Sequence, residues 1–86
     1  MSQYLVVIAP TAKKEMTRLP KKMLERIVKA IDSLADDPRP HGCLKLEGHE
    51  NRYRIRVGDY RVIYSLEDDV LRVLIIRVRH RKDAYR

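Results

Sequence analysis

Arginine recurs at every second position through Arg52, Arg54 and Arg56, and a fourth, Arg61, follows just past a Gly58-Asp59 step. Successive side chains of a strand point to opposite faces, so arginines two apart share one face. With Gly58-Asp59 as the two-residue loop of a type II′ turn, Val57 pairs with Tyr60, Arg56 with Arg61, Ile55 with Val62 and Tyr53 with Tyr64. One face of the hairpin is then apolar and aromatic, and the other holds Arg52, Arg54, Arg56 and Arg61. Like charges set opposite one another destabilise a sheet. A face that keeps them together points to an anionic partner.

The last stretch, Arg79-His80-Arg81-Lys82-Asp83-Ala84-Tyr85-Arg86, adds cations, an imidazole and an aromatic ring. Guanidinium forks bind phosphate bidentately, and a ring beside them offers a base something to stack on. Such parts suit single-stranded RNA, with Arg52, Arg79, Lys82 and Arg86 as further RNA-binding positions. Cleaving RNA without a metal requires a base for the 2′-hydroxyl, cations around the phosphorane and an acid for the leaving 5′-oxygen. Arginine fills the second role and not the first, because it keeps its proton in proteins. His80 exchanges protons near neutral pH and is therefore the candidate base or acid.

Positioning these groups requires strands. A tight turn at Asp68-Asp69 pairs Tyr64 with Val73, Val62 with Ile75, Ile63 with Leu74 and Arg61 with Ile76. By parity Ile76, Val78 and His80 then join the arginine face, while Arg81 reaches it only if the chain bends after His80. Tyr53, Ile55, Val57, Val62, Tyr64, Val73 and Ile75 fall on the other face, and Tyr53, Tyr60 and Tyr64 read as core residues.

Upstream, Tyr4-Leu5-Val6-Val7-Ile8 is a continuously apolar run that suits a strand buried on both faces. Pro10-Thr11 opens a helix with Ala12, Met16 and Leu19 on one side, and Pro20 stops it. Residues 20–37 carry Leu24, Ile27, Val28, Ile31, Leu34 and Ala35 as an apolar stripe. Asp36-Asp37-Pro38-Arg39-Pro40-His41-Gly42 is a breaker-rich loop, and Leu44-Lys45-Leu46 reads as a brief strand. Val70 to Arg79, apolar on both sides, belongs in the middle of the sheet. The expected fold class is α+β in the order β-α-α-β-β-β. Two N-terminal helices pack on one face of a mainly antiparallel four-stranded sheet.

The 86 residues suffice for one domain, 1–86, with one modest core. A net charge of +7 directs attention to nucleic acid. The single cysteine, Cys43, has no cysteine or histidine at metal-ligand spacing and suits a reducing compartment, and His41 and His49 read as loop residues. No metal, small-molecule cofactor or membrane span is expected, and the expected location is the cytoplasm.

The segments Lys45-Leu46-Glu47-Gly48, Tyr53-Arg54-Ile55-Arg56-Val57, Gly58-Asp59-Tyr60-Arg61-Val62-Ile63-Tyr64 and Val78 to Arg86, in this order and spacing, resemble the RelE group of the RelE/ParE toxin superfamily. The resemblance covers nearly the whole chain. It implies the toxin of a toxin–antitoxin pair, a ribosome-dependent endoribonuclease that enters the 30S A site and cuts mRNA there, leaving a 2′,3′-cyclic phosphate. It also implies a RelB-like antitoxin partner, and an active site at the positions of Arg54, Arg56, Arg61, Arg81 and Tyr85. The best-known members carry lysines where this chain has Arg54 and Arg56, which leaves the proton-accepting role open to His80. Two other functions fit the same residues: a ParE-like gyrase poison, and a basic RNA- or ribosome-binding module without chemistry.

Overall fold

The structure, a computed structural model, describes residues 3–82; Tyr85 and Arg86, two of the expected site residues, lie outside the described residues. The chain runs through β1 (Leu5–Ile8), α1 (Pro10–Thr17), α2 (Lys21–Ser33), β2 (Leu44–Lys45), β3 (Arg52–Val57), β4 (Tyr60–Glu67) and β5 (Arg72–His80). Pro10 stands at the start of α1, where its missing N–H breaks no helical bond. Pro20 separates α1 from α2 in an extended conformation, and Leu24 N–H already bonds to its carbonyl at 2.9 Å.

The strands form one sheet in the order β1-β5-β4-β3-β2. β1 runs parallel to β5, and the other neighbours are antiparallel. The brief β2 extends the expected four strands to five. β5 is internal, as its two-sided apolar character required. β1 departs from expectation: as an edge strand it buries one side only, leaving Leu5 66% and Val7 38% exposed.

Ala12 and Met16 from α1, with Ile27, Ile31 and Leu34 from α2 and the turn after it, meet Ile55, Val57, Val62, Tyr64, Leu66, Val73, Ile75 and Val78 of the sheet in one core. Tyr64 is fully buried, and its hydroxyl satisfies itself by donating to the Pro38 carbonyl at 2.7 Å. Tyr53 stacks on it with ring centroids 6.0 Å apart. Arg39 lies over the Tyr53 ring at 5.2 Å and grips Asp68 with both terminal nitrogens, at 2.7 and 3.3 Å. Tyr4 donates its hydroxyl to the same carboxylate at 2.6 Å. This clasp ties β1, the loop after α2 and the β4–β5 turn together at the end of the sheet away from Gly58.

The β3–β4 register has the expected pairs, Arg56 with Arg61, Ile55 with Val62 and Tyr53 with Tyr64. Gly58 takes φ +60° while Asp59 stays at negative φ, as a type II′ turn demands. The β4–β5 register corrects the expectation. Glu67 pairs with Arg72 across a longer turn that uses Leu71 at φ +52°, so Tyr64 faces Ile75, not Val73. A shift by two preserves the faces of Val73 and Ile75. A bulge between Ile63 and Tyr64 then makes Ile76 an extra residue, so that Ile63 faces Arg77, Val62 faces Val78, Arg61 faces Arg79 and Tyr60 faces His80. Beyond the bulge every β5 side chain changes face. Val78 enters the core at 2% exposure, and Arg77 and Arg79 turn outward. Without the bulge, two guanidiniums would enter the apolar layer under the helices, a cost of several kcal/mol on the order expected for buried charge.

Candidate functional site

Arg56 faces Arg61 across β3–β4, and Arg61 faces Arg79 across β4–β5. Three arginines therefore stand in one row across three strands, on the face opposite the helices. Directly opposed side chains have Cβ atoms about 4.5–5.5 Å apart, and opposed like charges cost the sheet up to about 1 kcal/mol per pair in the absence of an anion. Arg54 stands on the same face one row further along, opposite Ile63, and borders a groove with His41, Gly42, Leu44 and Arg56. Arg52 is further still, opposite Ser65.

β5 ends at His80, and the chain turns. Arg81 donates its N–H to the Asp59 carbonyl at 2.8 Å, and its Nε lies 3.9 Å from an Asp59 carboxylate oxygen. This is the bend that Arg81 required. It closes a cavity of about 230 Å³ lined by Arg56, Gly58, Asp59, Tyr60, Arg61, Arg81 and Lys82. Arg61 forms its half-buried wall, whereas Arg56, Arg81 and Lys82 are exposed and reach in from the rim. Four cations and one carboxylate around so small a space make it the candidate site for an anion such as phosphate.

His80 does not share this face. The bulge carries it opposite Tyr60, whose ring it meets edge-on at 5.2 Å and 86°, on the helix side of the sheet. Its Nδ1 accepts the Lys82 N–H at 3.2 Å, which leaves the proton of the neutral imidazole on Nε2. Ile76 and Val78, expected beside Arg61, are likewise absent from the row. Arg79 takes the place expected of Ile76 and is a full member of it.

Two contributors are not evident in the sequence. Asp59 lines the arginine cavity, with its carboxylate 3.9 Å from Arg81 Nε. Glu15 reaches from α1 to the outer edge of β5, beyond the last pair with β1. There it accepts the Val78 N–H at 2.8 Å and binds the Arg77 guanidinium at 2.8 and 3.1 Å, holding the residue pair just past the bulge. No sequence signal marks Glu15, because its partners lie sixty-odd residues away and depend on the bulge. Asp59 was legible only as a turn residue. Among the described residues no group of three His, Cys, Asp or Glu side chains gathers to hold a metal, and no helix is long and apolar enough to cross a membrane.

A short basic sheet with a helical hairpin on one face and an arginine row on the other defines the class of small α+β toxins built on the RelE/ParE scaffold. The comparisons agree. The profile of the family described as the ParE toxin of the type II toxin–antitoxin system parDE matches residues 6–85. The toxin RelE of Mycobacterium tuberculosis is 34% identical over 84 residues, covering 96% of this chain and 87% of that protein. RelG from the same organism is 32% identical, covering 96% and 97%. The toxin in an archaeal RelE–RelB complex from Pyrococcus horikoshii superposes with a TM-score of 0.83 at 35% identity, over 94% of this chain and 97% of that one. The isolated RelE toxin of E. coli shares the fold, with a TM-score of 0.79 at 24% identity over 95% of each chain. The chain belongs to the RelE/ParE family of type II toxins, in its RelE group.

Proposed function

We propose that the protein is a ribosome-dependent endoribonuclease that cuts mRNA in the 30S A site by attack of a 2′-hydroxyl on the adjacent phosphate, without a metal. The observation that carries this reading is the row Arg56–Arg61–Arg79, of which Arg56 and Arg61 share one cavity with Arg81. In-line attack builds negative charge on the phosphorane oxygens, and guanidiniums fixed beforehand on strands stabilise that charge at little reorganisation cost. Arg61 is the central clamp, with Arg56 and Arg81 on its flanks and Arg54 and Arg79 along the path of the strand. Arg52, Lys82 and Arg86 hold further phosphates, and Tyr85 supplies the stacking ring. With His80 on the other side of β5, the proton acceptor for the 2′-hydroxyl is Asp59, the carboxylate of the arginine cavity. Lys82, which lines the same cavity, is the candidate to protonate the leaving oxygen as well as to hold phosphate. His80 acts through its contact with Tyr60 and the Lys82 backbone.

The cavity is open and mostly cationic, so alignment of the substrate falls to the ribosome, and free RNA is a poor substrate. A toxin of this kind works in the cytoplasm and requires restraint. Relatives occur in complexes with RelB antitoxins, and a RelB-like antitoxin with an acidic surface is the partner proposed for this chain.

Primer extension on programmed ribosomes tests the reading. Wild-type protein yields new 5′ ends within the A-site codon, and Arg61→Ala lowers cleavage about 10²–10³-fold while weakening ribosome binding far less. The family profile carries the ParE name, and intact message together with stalled gyrase would transfer the chain to that second reading. Equal losses of binding and cleavage in Arg61→Ala would leave a basic binding module.

A further inference from the structure

A second cavity, about 370 Å³, opens along the part of β5 that β1 leaves uncovered. Its walls include Glu15, Arg18 and Leu19 from α1 and the turn after it, Tyr60 at the start of β4, and Arg79 and His80 at the end of β5. Its volume lies within the range of small-ligand sites. The Glu15 carboxylate is already engaged by the Arg77 guanidinium and the Val78 N–H. Its charge is therefore compensated, and Arg18 and Arg79 set the sign of the cavity. Leu19 gives it an apolar side, and the edge-on pair of Tyr60 and His80 gives it an aromatic one.

The two cavities are neighbours. Tyr60 lines both. Arg61 lines the first and Arg79 the second, and these two are register partners on adjacent strands. A strand whose phosphate sits on Arg61 thus has its next cation one strand away, at Arg79, and the one after it at Arg18, at the C-terminal end of α1.

We infer that this second cavity is a subsite for the nucleotide next to the scissile phosphate. Arg79 and Arg18 hold its phosphate, and the base lies between Leu19 and the Tyr60–His80 pair. The inference rests on the RNA-cleaving reading and extends its footprint over the edge of β5 to α1. Stacking on an aromatic wall tolerates any base, so the subsite adds affinity and direction more than sequence choice. It also gives His80 a place: its Nε2–H belongs to this cavity as a donor to a base edge or ribose.

The test is the salt dependence of binding of the whole protein to 2′-O-methyl oligouridines of two, three, four and six nucleotides. For single strands each phosphate neutralised contributes about −0.7 to the slope of log K against log salt. Wild-type protein should show the slope steepening by about that amount once the oligonucleotide is long enough to pass the arginine row. Arg18→Ala should remove that step and leave the shortest oligonucleotides unaffected, and Arg18→Lys should restore it. Arg18 is exposed, so neither change disturbs the core, and a thermal melt checks this directly. An unchanged slope in Arg18→Ala, or equal loss at every length, overturns the subsite. Failure of the cleaving reading looks different: programmed ribosomes would then yield no A-site 5′ ends with wild-type protein, whatever the oligonucleotide slopes.

Discussion

Glu15 Oε1 accepts the Val78 N–H at 2.8 Å, across 63 residues of sequence, and the same carboxylate binds the Arg77 guanidinium. The contact fixes β5 where its pairing with β1 has ended, immediately after the bulge that turns Arg79 toward Arg61. Glu15→Ala strands a half-buried guanidinium and a backbone donor together, and should lower stability by about 1–3 kcal/mol in urea unfolding. Glu15→Gln retains an oxygen for the Val78 N–H and loses the charge, so it should fall between the two. Equal stability of Glu15→Ala and wild type would remove this carboxylate from the account of how β5 is held.

The clasp at the opposite end predicts a pH dependence. The Arg39 guanidinium, and then the Tyr4 hydroxyl, hold the Asp68 carboxyl below the usual carboxylate range. A depressed carboxylate contributes stability that is complete above its unfolded pKa, about 3.9, and is lost as pH falls through the lower folded value. The melting temperature should therefore drop as pH is taken from 5 toward 2. Asp68→Asn should be less stable than wild type at pH 5, and the gap between them should narrow with acidification. A constant gap over that interval would dissociate Asp68 from the acid limb.

The hairpin register was readable because two short cues agree: strict alternation on both sides of Gly58-Asp59, and the requirement of a type II′ turn for glycine at its first position. Helix positions followed from Pro10, Pro20 and the stripe running from Leu24 to Leu34. The β5 register was not obtained by counting from Asp68-Asp69, because the turn takes more residues and a bulge follows. A trace of the bulge was nonetheless present. The residues that must be apolar on the helix side run Val73, Ile75 and then Val78, and the arginines Arg77 and Arg79 occupy the phase that Val73 and Ile75 had held. An apolar pattern that changes phase in mid-strand marks an extra residue. That signal places Arg79 in the row and removes His80 from it. The Leu5 and Val7 side chains show the converse limit: a continuous apolar run does not say whether a second layer exists to cover it.

Gly58 predicts a strain-based loss. It holds φ +60°, and a β-carbon there would lie 3.0 Å from Met23 Cε and 3.2 Å from Arg26 Nη1. Alanine at such a φ costs more than the roughly 0.4–1 kcal/mol that stiffening the unfolded chain returns, so Gly58→Ala should be less stable by about 1 kcal/mol or more. Asp59, Arg56 and Arg61 all depend on this turn, so cleavage should fall further than the lost folded fraction accounts for. Comparing single-turnover rates at a temperature where both proteins are fully folded separates the two effects.

Asp59 carries the sharpest prediction about chemistry. The row supplies cations only, and arginine does not accept protons in proteins. The carboxylate that lines the same cavity lies 3.9 Å from Arg81 Nε, close enough to be steered by it and exposed enough to reach a ribose. Asp59→Asn preserves the size of the side chain and its turn-forming ability, and it removes the proton acceptor. Single-turnover cleavage on saturated ribosomes should fall about 10²–10⁴-fold, the usual span for a lost general base, with ribosome affinity nearly unchanged. If Asp59→Asn retained the rate while His80→Gln lost it, proton transfer would return to the imidazole, and the strand end would have to rearrange on the ribosome to bring His80 round to Arg61.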